Sequence, residues 1–344
     1  MVSTFCTLFD SKYLDKGLAL YWSMQQHIVD FKLYIFAFDD KSYEVLSELQ
    51  LENVIVIPLK DIMTTTLRKL QEERTRAEFC WTCTPIVIEY VLLKCKEKIC
   101  TYIDADIYFF ANPNIVIQEL LDARCSVGIV RHGFERNYRY GELIFKVGKY
   151  CVEFNTFLNN RESLQVLEKW KTDCMNWCYY RCEDGKLGDQ KYLDQWRLEY
   201  SCVHESQNLG AGVAPWNLHL YTLLVNRKGN IWMQYKDKRF KLIFYHFEGM
   251  KYLSNGRIHL GLWDYCKVGT GKKVKLLYGQ YLKKIKLIRG FLASTYGIDF
   301  EDMVADKKQV LGKESLIKQF VMADGLFQGF SRWIGYRHNG SKKG

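Results

Sequence analysis

The sequence predicts a mixed α/β fold with a mostly parallel sheet flanked by helices, followed by a basic helical extension. Three observations predict it. Short apolar runs alternate with stretches of helical spacing across residues 4–103, the pattern of strands connected by crossover helices. Acidic residues recur where the apolar runs end, at Asp10, Asp39, Asp40, Asp104 and Asp106, and ligands of parallel sheets bind at the carboxyl ends of strands. Residues 265–344 carry 16 Lys/Arg against 6 Asp/Glu, whereas the remaining 33 of each balance in residues 1–264.

Taken in order, residues 4–9 (TFCTLF) form a strand and residues 10–13 a turn. Residues 18–27 have apolar spacing for a helix. Residues 31–38 (FKLYIFAF) are a second strand, and residues 42–49 a helix with Ser42 as its cap. Residues 54–57 (VIVI) read as a buried strand. Residues 84–95 read as a helix with Pro85 in its first turn, leading to the strand 99–103 that stops at Asp104. Further on, 126–130 and 150–154 are strands, 161–179 a helix, 183–190 a polar loop, 191–196 a short helix and 210–217 a loop. A strand at 242–245 opens onto His246, and the chain beyond residue 268 is basic and helical.

The 344 residues are 48% hydrophobic and 15% aromatic, which excludes a disordered chain. With four prolines and no repeat, no flexible linker is expected. The expected division is a main segment at 1–264, with halves at about 1–110 and about 111–264, followed by the extension at 265–344. Twelve cysteines in a chain of this size do not make a secreted disulfide scaffold. No signal peptide or bilayer-length apolar run is visible. The expected location is the cytoplasm, with a peripheral place at the inner face of a membrane.

The strongest chemical signal is Asp104-Ala105-Asp106 at the end of an apolar strand. Two carboxylates there are costly without a counter-charge, and a hard divalent cation such as Mn²⁺ or Mg²⁺ takes oxygen ligands and shares them with phosphates. The plainer alternative is a pair of surface or helix-capping aspartates. The second signal is His246-Phe247-Glu248-Gly249-Met250-Lys251. His246 offers a third metal ligand, Gly249 allows close backbone approach, and Lys251 brings a positive charge to a phosphate.

With the Gly188-Asp189-Gln190 loop, these segments resemble the nucleotide-diphospho-sugar glycosyltransferases of the GT-A fold, a Rossmann-like architecture, most closely family 8 and its bacterial relatives. The resemblance covers roughly residues 3–255; the usual proline-tryptophan after the lysine is Tyr252-Leu253 here. It implies that Asp104 touches the nucleotide ribose and the metal, that Asp106 and His246 complete the metal site, and that Gly249 and Lys251 face the diphosphate. It places Asp10 and Tyr13 at the base and Asp189, with Gln190 beside it, at the transferring sugar. Asp39 is grouped with the nucleotide site, and the resemblance makes 1–264 the catalytic domain, with a nucleotide-sugar-binding half at about 1–110 and an acceptor-binding half at about 111–264.

The chemistry agrees with that reading. A diphosphate leaving group gathers negative charge that a cation relieves, and a carboxylate helps the positively charged sugar; Asp189, Glu183 and Asp184 are candidates. Of Lys69, Arg74 and Arg76, Arg76 is the candidate for the diphosphate. Trp81, Trp216 and Asn217 are assigned to the acceptor or sugar pocket. Cys80 and Cys83 lack the partners of a redox or zinc site, and Cys174, Cys178 and Cys182 are read as a core stripe on one helix face. Residues 272–290 suit an anionic membrane surface.

The expected activity is therefore metal-dependent transfer of a sugar from a nucleotide-diphosphate donor, UDP-sugar favoured, to a saccharide or lipid-linked acceptor. Retention of configuration and a role in bacterial surface polysaccharide or lipopolysaccharide assembly go with it. Two alternatives compete. A sugar-nucleotidyltransferase would need a glycine-rich N-terminal loop that TFCTLFDSKYLDKG lacks, and a nucleic-acid-binding protein would leave Asp104, Asp106 and His246 unexplained.

Overall fold

In the computed structural model, residues 2–135, 140–225, 230–253, 258–262, 271–298 and 300 are described. The chain begins with β1 (Ser3–Phe9), buried along its whole length, then a single 3-10 turn over Ser11–Tyr13 and α1 (Leu14–His27). Next come β2 (Phe31–Ala37) and α2 (Asp40–Leu49). Asp39, not Ser42, caps α2. Its carboxylate accepts from Ser42 N, and Ser42 returns a bond from its side chain, so Ser42 is the third residue of a capping box.

β3 (Val54–Pro58) pairs on one side only and buries just Ile57 well, so the expected buried strand is a half-exposed sheet edge. After α3 (Thr65–Glu73), α4 (Arg76–Glu89) starts much earlier than its apolar content suggests. Thr75 and Glu78 form a reciprocal cap at its start, which leaves Pro85 inside the helix instead of in its first turn. The helix then loosens into one π turn, Tyr90–Lys94, before β4 (Ile99–Ile103).

β5 (Ile107–Phe109), α5 (Asn114–Asp122), β6 (Val127–Arg131), α6 (Tyr140–Lys146) and β7 (Tyr150–Leu158) follow. α7 (Arg161–Asn176) stops short of Cys178 and Cys182. The expected three-cysteine stripe is therefore not on one helix: Cys174 and Cys178 are buried and Cys182 is exposed. α8 (Leu193–Glu199), β8 (Val203–Glu205), the hairpin strands β9 (Thr222–Val225), β10 (Ile231–Tyr235) and β11 (Lys238–Lys241), and β12 (Phe244–His246) complete the first of two compact units, residues 1–246.

Seven strands form the central sheet in the order β3-β2-β1-β4-β7-β6-β8. All its pairings are parallel except the two made by β7. This is the mixed, mostly parallel sheet that the alternating apolar runs predict. Its core includes Phe157, stacked on Trp170 at 6.1 Å and edge-on to Trp196 at 5.9 Å. Burial of such large rings supplies much of the hydrophobic stabilisation.

The second unit, residues 247–344, is described over β13 (Lys251–Tyr252), β14 (Ile258–His259), α9 (Gly271–Tyr296) and their immediate flanks. Along α9, Val274, Leu277, Tyr278, Tyr281, Ile285 and Leu292 are buried at helical spacing, and Phe247 stacks on Tyr281 at 3.8 Å. Most of the apolar side of the basic segment is thus packed inside its own protein, while Leu287 and Phe291 are exposed. Among the described residues no helix is long and apolar enough to cross a membrane. The tail beyond residue 300, which carries part of the basic excess, lies outside the described residues.

Candidate metal centre

Three pieces of chain meet at the carboxyl end of β4. The turn after β4 carries Asp104 and Asp106 and is closed by Ile107 N donating to Asp104 O at 3.1 Å. β5 continues from it and pairs antiparallel with β12, which sets His246 opposite Ile107. β7 runs antiparallel beside β4, and Asp104 N donates to Glu153 O at 3.1 Å. Strand pairing therefore brings together residues that are 140 positions apart in the chain.

His246 is the centre of this group. Its Nε2 lies 3.0 Å from Asp106 Oδ1 and 3.7 Å from Asp104 Oδ2, and its Nδ1 lies 2.6 Å from Glu153 Oε2. Trp216 packs edge-on to the imidazole at 5.6 Å. The loop carrying Trp216 is anchored by His246 N donating to Val213 O at 3.0 Å. Gly212 in that loop has φ +84°, and a Cβ there would lie 2.7 Å from Val130 Cγ1 and 3.3 Å from Glu153 Oε1, so only glycine leaves room.

The charges are strongly coupled. Burial raises Asp104, His246 lowers it and Asp106 raises it, and the net position is about 6. Burial would raise Asp106 too, but the charge and hydrogen bond of His246, with Lys16, hold it well below the ordinary carboxylate range. Burial alone would lower His246; Asp106, Cys151 and Glu153 drive it well above its ordinary value. Lys16, in the first turn of α1, has its Nζ 3.7 Å from Asp106 Oδ2.

Among the described residues, two triads have the right donors for a metal, Asp104/Asp106/His246 and Cys151/Glu153/His246, each with ligand atoms within 4.8 Å of one another. Atoms that share one cation at about 2.1 Å lie no more than about 4.2 Å apart. Both His246–aspartate separations meet that limit. The first triad also has an approach, since the Asp104 side chain is 29% exposed, whereas Glu153 is fully buried. Glu153 instead accepts from the far ring nitrogen, the arrangement by which a carboxylate fixes a metal-binding imidazole. Two carboxylates and an imidazole suit Mn²⁺ and accept Mg²⁺.

Asp189 connects to this centre through a short polar chain. Tyr102 Oη donates to Asp104 Oδ1 at 2.9 Å, and Thr84 hydrogen-bonds both Tyr102 and Asp189. Burial first, and then the charge of Asp104, push the Asp189 carboxyl up to about 8. The folded state thus keeps this proton longer than the unfolded chain. The group's stabilising contribution is full at low pH and is lost as pH rises from about 4 toward that value. In EDTA, Asp189→Asn is expected to melt above the parent protein, with a gap that widens between about pH 5 and about pH 8. A gap independent of pH would show that Asp189 is ionised when folded.

The other predicted residues separate into those gathered here and those used elsewhere. Asp10 pairs with Arg76, and both line a pocket of about 190 Å³ with Phe38, Gln71, Arg74, Phe79 and Cys80. That volume holds part of a ligand and not a whole one. Tyr13 is 42% exposed and presents its ring to Lys16. Trp81 lies against Gly188, next to Asp189.

Asp39 is occupied by Ser11 and Ser42, whose hydrogen bonds outweigh burial and lower its pKa. Arg74 is buried, bonding Thr82 Oγ1 and the carbonyls of Cys174 and Met175, and is structural. The Asn217 amide is spent on His132 O and Gly212 O, holding the loop rather than facing a ligand. Gln190 donates to Val147 O, Asp184 is exposed at a turn with φ +51°, and Glu183 pairs with Arg181. Gly249 and Lys251 belong to the second unit, where Gly249 has φ +71° and Lys251 is exposed.

Sequence reading missed Glu153 and Lys16. Glu153 interrupts the apolar run YCVEF, and that one charge inside a buried strand was the available signal. Lys16 is a lone lysine at the start of the first helix, in YLDKGLAL, and gave none.

No protein-family model matches the chain. The protein YfnF of Bacillus subtilis (strain 168) is 30% identical over 270 residues, which span 75% of this chain and 85% of YfnF. The chain belongs to the YfnF family. YfnD of the same organism is 26% identical over 285 residues, 82% of this chain and 88% of YfnD, and both relatives are described as uncharacterized. Solved structures similar to this YfnF-family chain include mouse xyloside xylosyltransferase 1 in its apo form, at 13% identity over 72% of this chain and 98% of that one, with a TM-score of 0.46. The galactosyltransferase LgtC in complex with donor and acceptor sugar analogues is similar at 11% identity over 72% and 87%, with a TM-score of 0.45.

Proposed function

We propose that this protein is a glycosyltransferase that uses a nucleotide-diphosphate sugar, UDP-sugar by preference, and a divalent cation, Mn²⁺ or Mg²⁺. The observation that carries the reading is the convergence of Asp104, Asp106 and His246 with ligand atoms within 4.8 Å, backed by Glu153. A cation held there supplies electrostatic relief to the departing diphosphate. Asp10 and Arg76 hold the nucleoside end of the donor in their pocket. Asp189, joined to Asp104 through Tyr102 and Thr84, faces the sugar, with Trp81 as the apolar wall beside it. Trp216 keeps water from the His246 face of the site.

The acceptor is a saccharide or a lipid-linked saccharide, and transfer proceeds with retention. A role in bacterial surface polysaccharide synthesis and a peripheral place on an anionic membrane through the basic residues after 264 complete the proposal.

A hydrolysis screen of nucleotide sugars, with and without Mn²⁺, tests it. The expected result is slow release of UDP from one UDP-sugar only when the metal is present. Release of pyrophosphate from UTP and a sugar phosphate would replace this reading with a nucleotidyltransferase. Failure of every nucleotide sugar to react or to stabilise the protein in Mn²⁺ would end it.

A further inference from the structure

Lys16 is a buried cation placed between Tyr13 and the candidate metal centre. Its side chain is 7% exposed, in the first turn of α1. An ammonium has three N–H donors, and burying them without acceptors is costly. Asp106 Oδ2 is 3.7 Å away, beyond a good hydrogen bond. Tyr13 offers its hydroxyl and its ring face, with the centroid 3.9 Å from Nζ, and Asp15 adds negative charge nearby, neighbours that an incoming oxyanion would join.

The position of Lys16 is informative. On one side it touches Tyr13, at the end of the turn that begins with Asp10 and its pocket. On the other it faces Asp106 of the metal triad. In a nucleotide sugar, the group that joins the nucleoside to the reacting sugar is the diphosphate, a dianion rich in acceptors.

We propose that Lys16 donates to the diphosphate of the donor, alongside the cation held by Asp104, Asp106 and His246, as a substrate-binding residue that also carries leaving-group charge. The inference rests on the nucleotide-sugar reading above and adds to it a protein-borne cation from the first helix.

A competing role, as counter-charge to Asp106 alone, makes a different prediction. Removing a mere counter-charge would alter Mn²⁺ binding in the absence of nucleotide and leave the contribution of the diphosphate untouched. The test is calorimetric titration of uridine and UDP, each in saturating Mn²⁺, into the full-length wild type, Lys16→Met and Lys16→Arg, with circular-dichroism melts to confirm folding. Lys16→Met is expected to lose about 10- to 100-fold in UDP affinity, the worth of one charge-assisted hydrogen bond, and nothing for uridine. Lys16→Arg is expected to recover part of the loss, which keeps the test valid if the methionine variant is unstable. Unchanged UDP affinity in both variants, while the wild type binds UDP more tightly than uridine, overturns the role of Lys16 alone. A wild type that gains no affinity from the diphosphate overturns the nucleotide-sugar reading, and this inference with it.

Discussion

Asp106→Asn, and separately His246→Ala, is expected to abolish Mn²⁺-dependent binding of UDP and to lower sugar transfer by more than about 100-fold. His246→Ala removes one ligand and Asp106→Asn replaces a charged ligand with a neutral amide oxygen, and either set holds the cation too weakly to position it. Asp106 matters twice. It is the deepest carboxylate of the turn, 3.0 Å from His246 Nε2 and 3.7 Å from Lys16 Nζ. Asparagine keeps its shape and withdraws the charge that both cations face. The variant is therefore also expected to lose stability without metal, because a buried cation deprived of its counter-charge is costly. His246→Ala, in contrast, removes a cation from among three acids and leaves a gap under Trp216. Transfer at the parental rate by either folded variant would take that residue out of the metal site.

The second large effect is expected at Glu153. It is fully buried, 2.6 Å from His246 Nδ1, and its Oε1 has no hydrogen-bond partner among the described residues. Its carboxylate keeps the ring turned with Nε2 toward the two aspartates. Glu153→Ala is expected to weaken Mn²⁺ binding about 10- to 100-fold, read by electron paramagnetic resonance of free Mn²⁺ without any nucleotide. Glu153→Gln, which preserves an acceptor oxygen, is expected to lose less. Equal Mn²⁺ affinity in the alanine variant and the parent would mean that Trp216 and the aspartates orient the ring by themselves.

Much of the first unit was legible locally. β1, β2 and β4 are short, mainly apolar runs bounded by polar turns, and a run of that kind has few alternatives once most of it is shielded from water. Asp104 and Asp106 were visible because they end such a run. Boundaries set by side-chain caps were misread. The capping box at Thr75 and Glu78 starts α4 within a charged stretch, KLQEERTRAE, that has no apolar period, and the cap decides the start where periodicity is silent. The cysteines at 174, 178 and 182 keep helical spacing, yet the helix ends at Asn176 and their pattern did not mark its end.

Spacing cannot report which polar side chains are already spent. Asp39 and Asn217 looked like ligand residues and are absorbed by a helix cap and a loop, because a backbone N–H or carbonyl with no other partner is as strong a claim on them as a substrate. Lys16 and Glu153 are the reverse case.

The sequence by itself determined the alternating strands and helices, the acidic turn after β4 and the basic excess after residue 264, since each depends on neighbours in the chain. Only the tertiary structure decided which histidine meets those acids, which glutamate orients it and which lysine faces them. Pairing of β5 with β12 and of β4 with β7 places the histidine and the glutamate, and the packing of α1 against β5 places the lysine. Strand pairing acts between residues far apart in the chain, Ile103 with Phe154 and Ile107 with His246, and no local pattern of residue types carries its register.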